Sequence, residues 1–400
     1  MARLASDTGV IAERDDDRGE GAIGVQGAGA HPVARLRRAL SAAWPALVGY
    51  TAVRVVGLVT LAVWADARDA RFGRLVGIRA DAGWYLRIAE HGYDRAEVLQ
   101  SNMAFFPLYP LLVRFAEPLS PLGMRNTAVA LAWLASLAAA WGLFAVGNHL
   151  HGRRTGILLA VVWGLVPHAI VESMAYTESI FTALAAWSLY AVLTGRWLTA
   201  GTLCLLAGLT RPTATSLIPV VALAALIALV RRRGTWRPAV AVLLAPLGWL
   251  GYVAWVGWRT GRVDGWFQIQ TEGWRSTFDG GAGTLESIGH TLDGPAATLQ
   301  WYLIVAVLAA SLILFALSII DRQPWPLLAY SAMMLVTTIG ASGYFNSKAR
   351  FLLPAFALLL PLARGLAATS TARLVVILIG LTASSAYFGG YLLLVSKLSP

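Results

Sequence analysis

Charge is what this sequence has least of. Only 13% of its 400 residues are charged while 57% are hydrophobic, against roughly 25% charged in a typical soluble domain. No Asp, Glu, Lys or Arg occurs over 126–152, 155–171, 238–258, 294–320, 323–347 or 374–396. A bilayer core of about 30 Å needs about 20 apolar residues per helix, so these runs exclude a soluble globular protein and predict an all-α polytopic membrane protein. Cysteine is nearly absent too. Cys204 stands alone inside an apolar run, which excludes a disulfide framework. No zinc-ligand spacing occurs, and His149 and His151 read as interfacial residues at a helix end. Also missing are the G-x-x-x-x-G-K-[ST] loop, a G-x-G-x-x-G turn ahead of a helix and a G-x-S-x-G elbow. ATP-driven transport and lipase-like hydrolysis lose support accordingly.

The N-terminal stretch "ERDDDRGEGAIGVQGAGAHP" is polar and Gly-rich. Residues 1–40 read as a disordered cytoplasmic tail, with no basic start and apolar core of a secretory signal. Residues 41–400 form the membrane domain. The net charge of +11 comes from arginines at the ends of apolar runs. There they fix orientation and meet anionic lipid, so membrane lipids rather than nucleic acid are the expected partners.

About eleven spans are predicted, near 44–64, 127–149, 155–171, 176–194, 198–210, 213–230, 238–258, 296–320, 325–343, 351–366 and 374–395. The Pro-broken "AFFPLYPLLVRF" (104–115) reads as interfacial or re-entrant. Placing Arg35, Arg37 and Arg38 inside sends Arg153–Arg154, Arg196, Arg231–Arg233, Arg322, Arg364 and Arg373 inside as well. This alternation requires 198–230 to cross twice, hinged at "TRPT" (210–213). A single crossing would invert everything after it. The expected location is the plasma membrane, with the N-terminus cytoplasmic.

A different population faces outward: the long loop 65–103, then 171–180, Arg211, 259–295 and 344–350. Charges at membrane depth are costly and tend to be functional. A carboxylate that can take a proton, cations that can stabilise a departing phosphate and aromatic walls suit transfer of a sugar from a lipid-phosphate carrier. Asp81, ahead of Trp84 and Tyr85, reads as that base or as a helix N-cap for 83–90. Arg211, Lys348 and Arg350 read as phosphate-binding. Glu178 and Glu172 read as ligands of acceptor hydroxyls or partners of arginine. His91 reads as a packed loop residue or a second base. Tyr176, Trp266, Trp274 and Arg275 read as groove residues or an interfacial belt. Arg54, inside the first span, requires a partner carboxylate or a bundle-interior position. A non-enzymatic polyprenyl-lipid transporter or scaffold would need the arginines and the groove but no base.

Six segments carry a family resemblance: "DAGWYLRIAEHGYD", "FFPLYPLLVR", "AYTESIFTALAAWSLY", "AGLTRPTA", "GWFQIQTEGWRSTF" and "KARFLLPAFALLLPL". In this order, over roughly 44–395, they resemble the PIG-V family, in a bacterial-type form. That family's eukaryotic members are GPI-anchor mannosyltransferases of the GT-C superfamily. The resemblance implies a GT-C-like bundle with a long first external loop, a polyprenyl-phosphate-mannose donor, an inverting reaction and no cofactor or obligate metal. The chain departs from the family where Arg79-Ala80, rather than the usual Trp-Asp pattern, leads into Asp81. The acceptor is left open among lipid, glycan and protein.

Overall fold

The computed structural model describes residues 32–94, 100–231, 236–294, 298–396 and 398–400. The tail expected over 1–40 lies outside these residues except for 32–40, which form the first turns of a helix. Arg232 and Arg233 also lie outside them. The chain divides into two units, Met1–Ala42 and Ala43–Pro400; the site described below belongs entirely to the second.

Seventeen α-helices occur among the described residues, joined by short 3-10 and π turns. They are α1 (Pro32–Asp66), α2 (Phe72–Gly77), α3 (Asp81–His91), α4 (Leu108–Ala116), α5 (Gly123–His151), α6 (Arg153–Trp163), α7 (Glu178–Leu193), α8 (Trp197–Gly208) and α9 (Ile218–Val230). There follow α10 (Arg237–Thr260), α11 (Gly265–Gln268), α12 (Ala282–Asp293), α13 (Leu299–Ile320), α14 (Trp325–Gly340), α15 (Lys348–Phe351), α16 (Leu360–Ala368) and α17 (Thr371–Gly390). The one β contact among them is an isolated antiparallel bridge between Phe278 and Ala341.

Each of the eleven predicted spans contains a helix, but among the described residues six helical stretches are long and apolar enough to cross a membrane: Arg37–Asp66, Gly123–His151, Pro212–Val230, Arg237–Thr260, Leu299–Ile320 and Thr371–Val395. A seventh is possible by length if Phe345–Phe351 and Phe356–Ala368, bent by 70° at their junction, form one broken span. Helices α6, α7, α8 and α14 are 11, 16, 12 and 16 residues long. At about 1.5 Å per residue, none of these reaches 30 Å. Three of them end near one cavity: the C-terminal ends of α8 and α14 lead into its lining residues, and the N-terminus of α7 lies behind it. Irregular backbone inside a membrane bundle is tolerated where protein or a cavity covers it.

Small residues let these helices pack closely. A side chain at Gly248 would collide with the Leu205 backbone, and one at Gly208 with Trp249, so α8 lies directly against α10. The break between α15 and α16 is fixed by side chains from outside it. Trp163 Nε1 donates to the Leu353 carbonyl at 3.0 Å, and the Tyr330 hydroxyl donates to the Pro354 carbonyl at 3.0 Å. Large apolar side chains such as Val63, Leu134, Leu243 and Ile313 stay exposed on the long helices, as a lipid-facing surface requires.

Arg54 is buried beneath this surface. Its guanidinium donates to Ser173 Oγ at 3.1 and 3.3 Å and lies 4.0 Å from Glu172, whose carboxylate accepts from the Tyr50 hydroxyl at 2.9 Å. Of its two expected roles, Glu172 thus takes the pairing with arginine, and it is not among the cavity-lining residues.

Candidate active site

Helix α3 begins at Asp81 itself, two residues earlier than the expected 83–90. The N-cap is Ala80, and no side chain caps the helix there. Ala80 has φ 50° and ψ −122°, a conformation that strains any residue with a Cβ. Its neighbour is clamped on both sides. The Arg79 carbonyl accepts from the Tyr176 hydroxyl at 3.2 Å, and the Arg79 guanidinium binds the Ser396 carbonyl at 2.8 Å and the Leu393 carbonyl. The result holds the Asp81 carboxylate at the positive end of α3, facing Arg350 at 2.9 Å.

Four charges alternate at one wall of a cavity, with Glu178 behind the other three. Arg350 Nη2 meets Asp81, and Arg350 Nε lies 3.4 Å from Glu178. Glu178, the first residue of α7, is also 2.6 Å from Arg211 Nη1. Arg211 Nη1 donates to Thr177 Oγ1 at 3.0 Å, and that hydroxyl lies 2.9 Å from the Tyr85 hydroxyl. Aromatic faces cover the cations, with Arg350 5.0 Å from the Tyr176 ring and 5.1 Å from Phe351, and Arg211 5.8 Å from Phe351. Asp81 keeps 27% of its side chain exposed, while Arg350 and Glu178 keep 4% and 1%. The carboxylate with access is therefore Asp81.

Asp81, Tyr85, Arg211, Arg350 and Phe351 border a cavity of about 420 Å3. Asp81 is the only carboxylate among the described lining residues, and Arg211, Lys348 and Arg350 are its cations. Trp266, Phe267, Trp274 and Phe278 form an aromatic wall, and Thr213, Thr215, Thr337, Thr338 and Gln270 a polar one. The aromatic wall is braced from behind. Trp84 stacks on Phe105 and meets Trp274 edge-on, at 5.9 and 5.2 Å between ring centres, and Trp274 Nε1 donates to the Ser101 carbonyl at 3.0 Å. The loop carrying Phe278 is tied to the end of α14 by Asp279 N–H to the Gly340 carbonyl, 2.9 Å, and Ser342 N–H to the Thr277 carbonyl, 2.6 Å. Asp279 itself accepts from Gly283 and Gly281 N–H at 2.8 Å each, which holds its carboxyl below the usual carboxylate range.

The predicted site residues fall into three groups. Asp81, Tyr85, Arg211, Trp274, Lys348 and Arg350 converge on the cavity. Trp84, Tyr176 and Glu178 stand one layer behind it, so direct substrate contact by them gives way to support. His91 and Arg275 are not lining residues. His91 closes α3, ten residues or about 15 Å along the axis from Asp81, where it is exposed beside Glu90 at 3.7 Å; a second base there is ruled out by distance. Arg275 is exposed at φ 49°, with its carbonyl pressed toward Gly343. Lys348 lines the cavity but commits two donors to the C-terminal end of α14, at 2.8 Å to the Thr338 carbonyl and 2.5 Å to the Ala341 carbonyl.

The threonine wall and Tyr344, which also lines the cavity, are absent from the residues read from sequence. Their only signal was the hydroxyl density of "TRPTATS" and "VTTIGASGY" within apolar surroundings. Among the described residues no group of three His, Cys, Asp or Glu side chains is placed to hold a metal ion.

No protein-family model matches the chain, and no curated protein matches it. Among solved structures it is similar to ArnT from Cupriavidus metallidurans, a crystal structure bound to undecaprenyl phosphate, with 14% identity and a TM-score of 0.48 over 88% of this chain. The chain spans 63% of that protein's length. A likeness at that level assigns no residue a role.

Proposed function

We propose that the chain is a GT-C-like membrane glycosyltransferase taking a sugar from a polyprenyl-phosphate carrier. One observation carries the reading: a single partly exposed carboxylate, Asp81, shares a cavity with Arg211, Lys348 and Arg350 inside an apolar helical bundle. The resemblance of its motifs to the PIG-V family is what supports mannose as the sugar and polyprenyl phosphate as the carrier. In this mechanism Asp81 accepts the proton of an acceptor hydroxyl as its oxygen attacks the anomeric carbon. The carbon–oxygen bond to the carrier phosphate breaks, and its electron pair leaves with the phosphate. Arg211 and Arg350 stabilise the charge that develops there. Threonine hydroxyls bind the sugar's hydroxyls, and the aromatic wall stacks on its apolar face.

Direct displacement of this kind inverts the anomeric centre. The product linkage, read by NMR of isolated product, is expected to carry the configuration opposite to that of the donor. Retention would refute single displacement by a hydroxyl that Asp81 activates.

The site is proposed to open on the outer face of the plasma membrane, with the N-terminus cytoplasmic. The motive is the basic stretch around 231–237, which favours the inner face; this placement counts the short α6, α7 and α8 each as a crossing. Trp236 and Val263, both exposed, flank α10. In a Cys204→Ala background, Val263→Cys is expected to react with a membrane-impermeant maleimide on intact cells, and Trp236→Cys only after permeabilisation. The reverse pattern would put the site on the cytoplasmic side.

A further inference from the structure

Glu178 has no place in the reaction just described, yet it is the most deeply buried of the four alternating charges. It contacts both arginines that border the cavity, at 2.6 Å to Arg211 Nη1 and 3.4 Å to Arg350 Nε. These arginines come from distant parts of the chain. Arg211 sits at the hinge after α8, and Arg350 in the short α15. Nothing in their own elements sets the spacing between them, and two buried guanidinium groups repel each other.

The contacts also determine which donors remain. Arg350 has Nη2 on Asp81, while its Nε, 3.4 Å from Glu178, and its Nη1 make no hydrogen bond. Arg211 has Nη1 between Glu178 and Thr177, while its Nε makes none. Buried guanidinium donors without an acceptor are costly, and a phosphate oxygen satisfies such donors well. Glu178 itself is absent from the cavity lining; it acts from behind.

Resting on the reading of Arg211 and Arg350 as phosphate ligands, we infer that Glu178 is a positioning residue that joins the two arginines into one two-pronged clamp for a polyprenyl monophosphate. The sign of its effect separates this role from simple electrostatics. Removing a negative charge makes the site more positive, which by Coulomb attraction alone tightens phosphate binding. Loss of the tether lets the arginines move apart, which weakens it.

The test is titration of the purified full chain in detergent with farnesyl phosphate, followed by tryptophan fluorescence, since Trp266 and Trp274 border the cavity. Farnesol is the uncharged control. Glu178→Gln is expected to bind farnesyl phosphate roughly tenfold or more weakly, the worth of one misaligned charge-assisted contact. In an Arg211→Lys background it is expected to add little, because both changes break the same unit. If thermal melting shows that Glu178→Gln does not fold, Glu178→Asp decides. It keeps the charge but is too short to reach both arginines, so weaker phosphate binding is expected there too. Unchanged or tighter farnesyl phosphate binding in the folded variant overturns the clamp. Wild-type protein that binds farnesol as well as farnesyl phosphate overturns the phosphate reading beneath it instead.

Discussion

Asp81→Asn is expected to lower turnover by at least about a hundredfold, because positioned general-base catalysis contributes typically 10²–10⁴ in rate. The substitution keeps the size of the side chain and a hydrogen-bond acceptor for Arg350, and it removes the ability to take a proton. Since Ala80 rather than Asp81 occupies the N-cap, no helix cap is lost. Thermal melting in detergent is therefore expected to be close to wild type, and so is donor binding. Asp81→Glu is expected to fail nearly as badly. The carboxylate is held 2.9 Å from Arg350 on a backbone clamped through Arg79, and a longer arm displaces the oxygen by about 1 Å, enough for ~10²-fold. Wild-type turnover in Asp81→Asn would move the base elsewhere, whereas a folding failure would give Asp81 a structural role.

The second large effect is expected at the arginines. Lysine at 350 keeps a positive charge but loses the planar fork that reaches Asp81 and Glu178 at once. Lysine at 211 likewise loses the geometry that meets Glu178 and Thr177 together. Each replacement is expected to weaken donor use by about 1.5–3 kcal/mol, the worth of a charge-assisted contact, or roughly ten- to a hundredfold in the donor KM. The acceptor KM is expected to move far less. Equal donor dependence in wild type, Arg211→Lys and Arg350→Lys would remove both residues from the phosphate site.

Much of the site was legible because the chain is so poor in charge. Arg211 and Arg350 stand out in apolar surroundings where a charge is expensive, the motif with Trp84 and Tyr85 singles out Asp81 within the charged loop 65–103, and the alternation of basic loops groups the three on one side. Pairing was not legible. Glu172 and Glu178 lie six residues apart, yet one folds back onto Arg54 and Tyr50 while the other meets Arg211 and Arg350. The "YTES" motif favours Glu178 as the site residue, but nothing in "VESMAYTES" names the partner of either. His91 shows the opposite error, since closeness in a motif suggested closeness in space and the helix carried it about 15 Å away.

The helices were legible as apolar runs, but their ends were not. Hydropathy marks where a chain prefers lipid; it does not mark where a helix stops to surround a cavity. The α7, α8 and α14 ends unwind at Thr177, Leu209 and Ala341, inside or beside segments that remain apolar. The threonines that line the cavity from 213–215 and 337–338 come from two such ends. Each pair is unremarkable in sequence and gains its place only when α9 and α14 meet.

The central claim is that Asp81 drives sugar transfer from a lipid phosphate. It is tested most directly by incubating purified protein with radiolabelled polyprenyl-phosphate-mannose and a cell-envelope extract, then following the label. Wild-type protein is expected to move label from the carrier into a new product, and Asp81→Asn to leave it on the carrier. Label that stays on the carrier with wild-type protein, or that moves equally with both, would contradict the account.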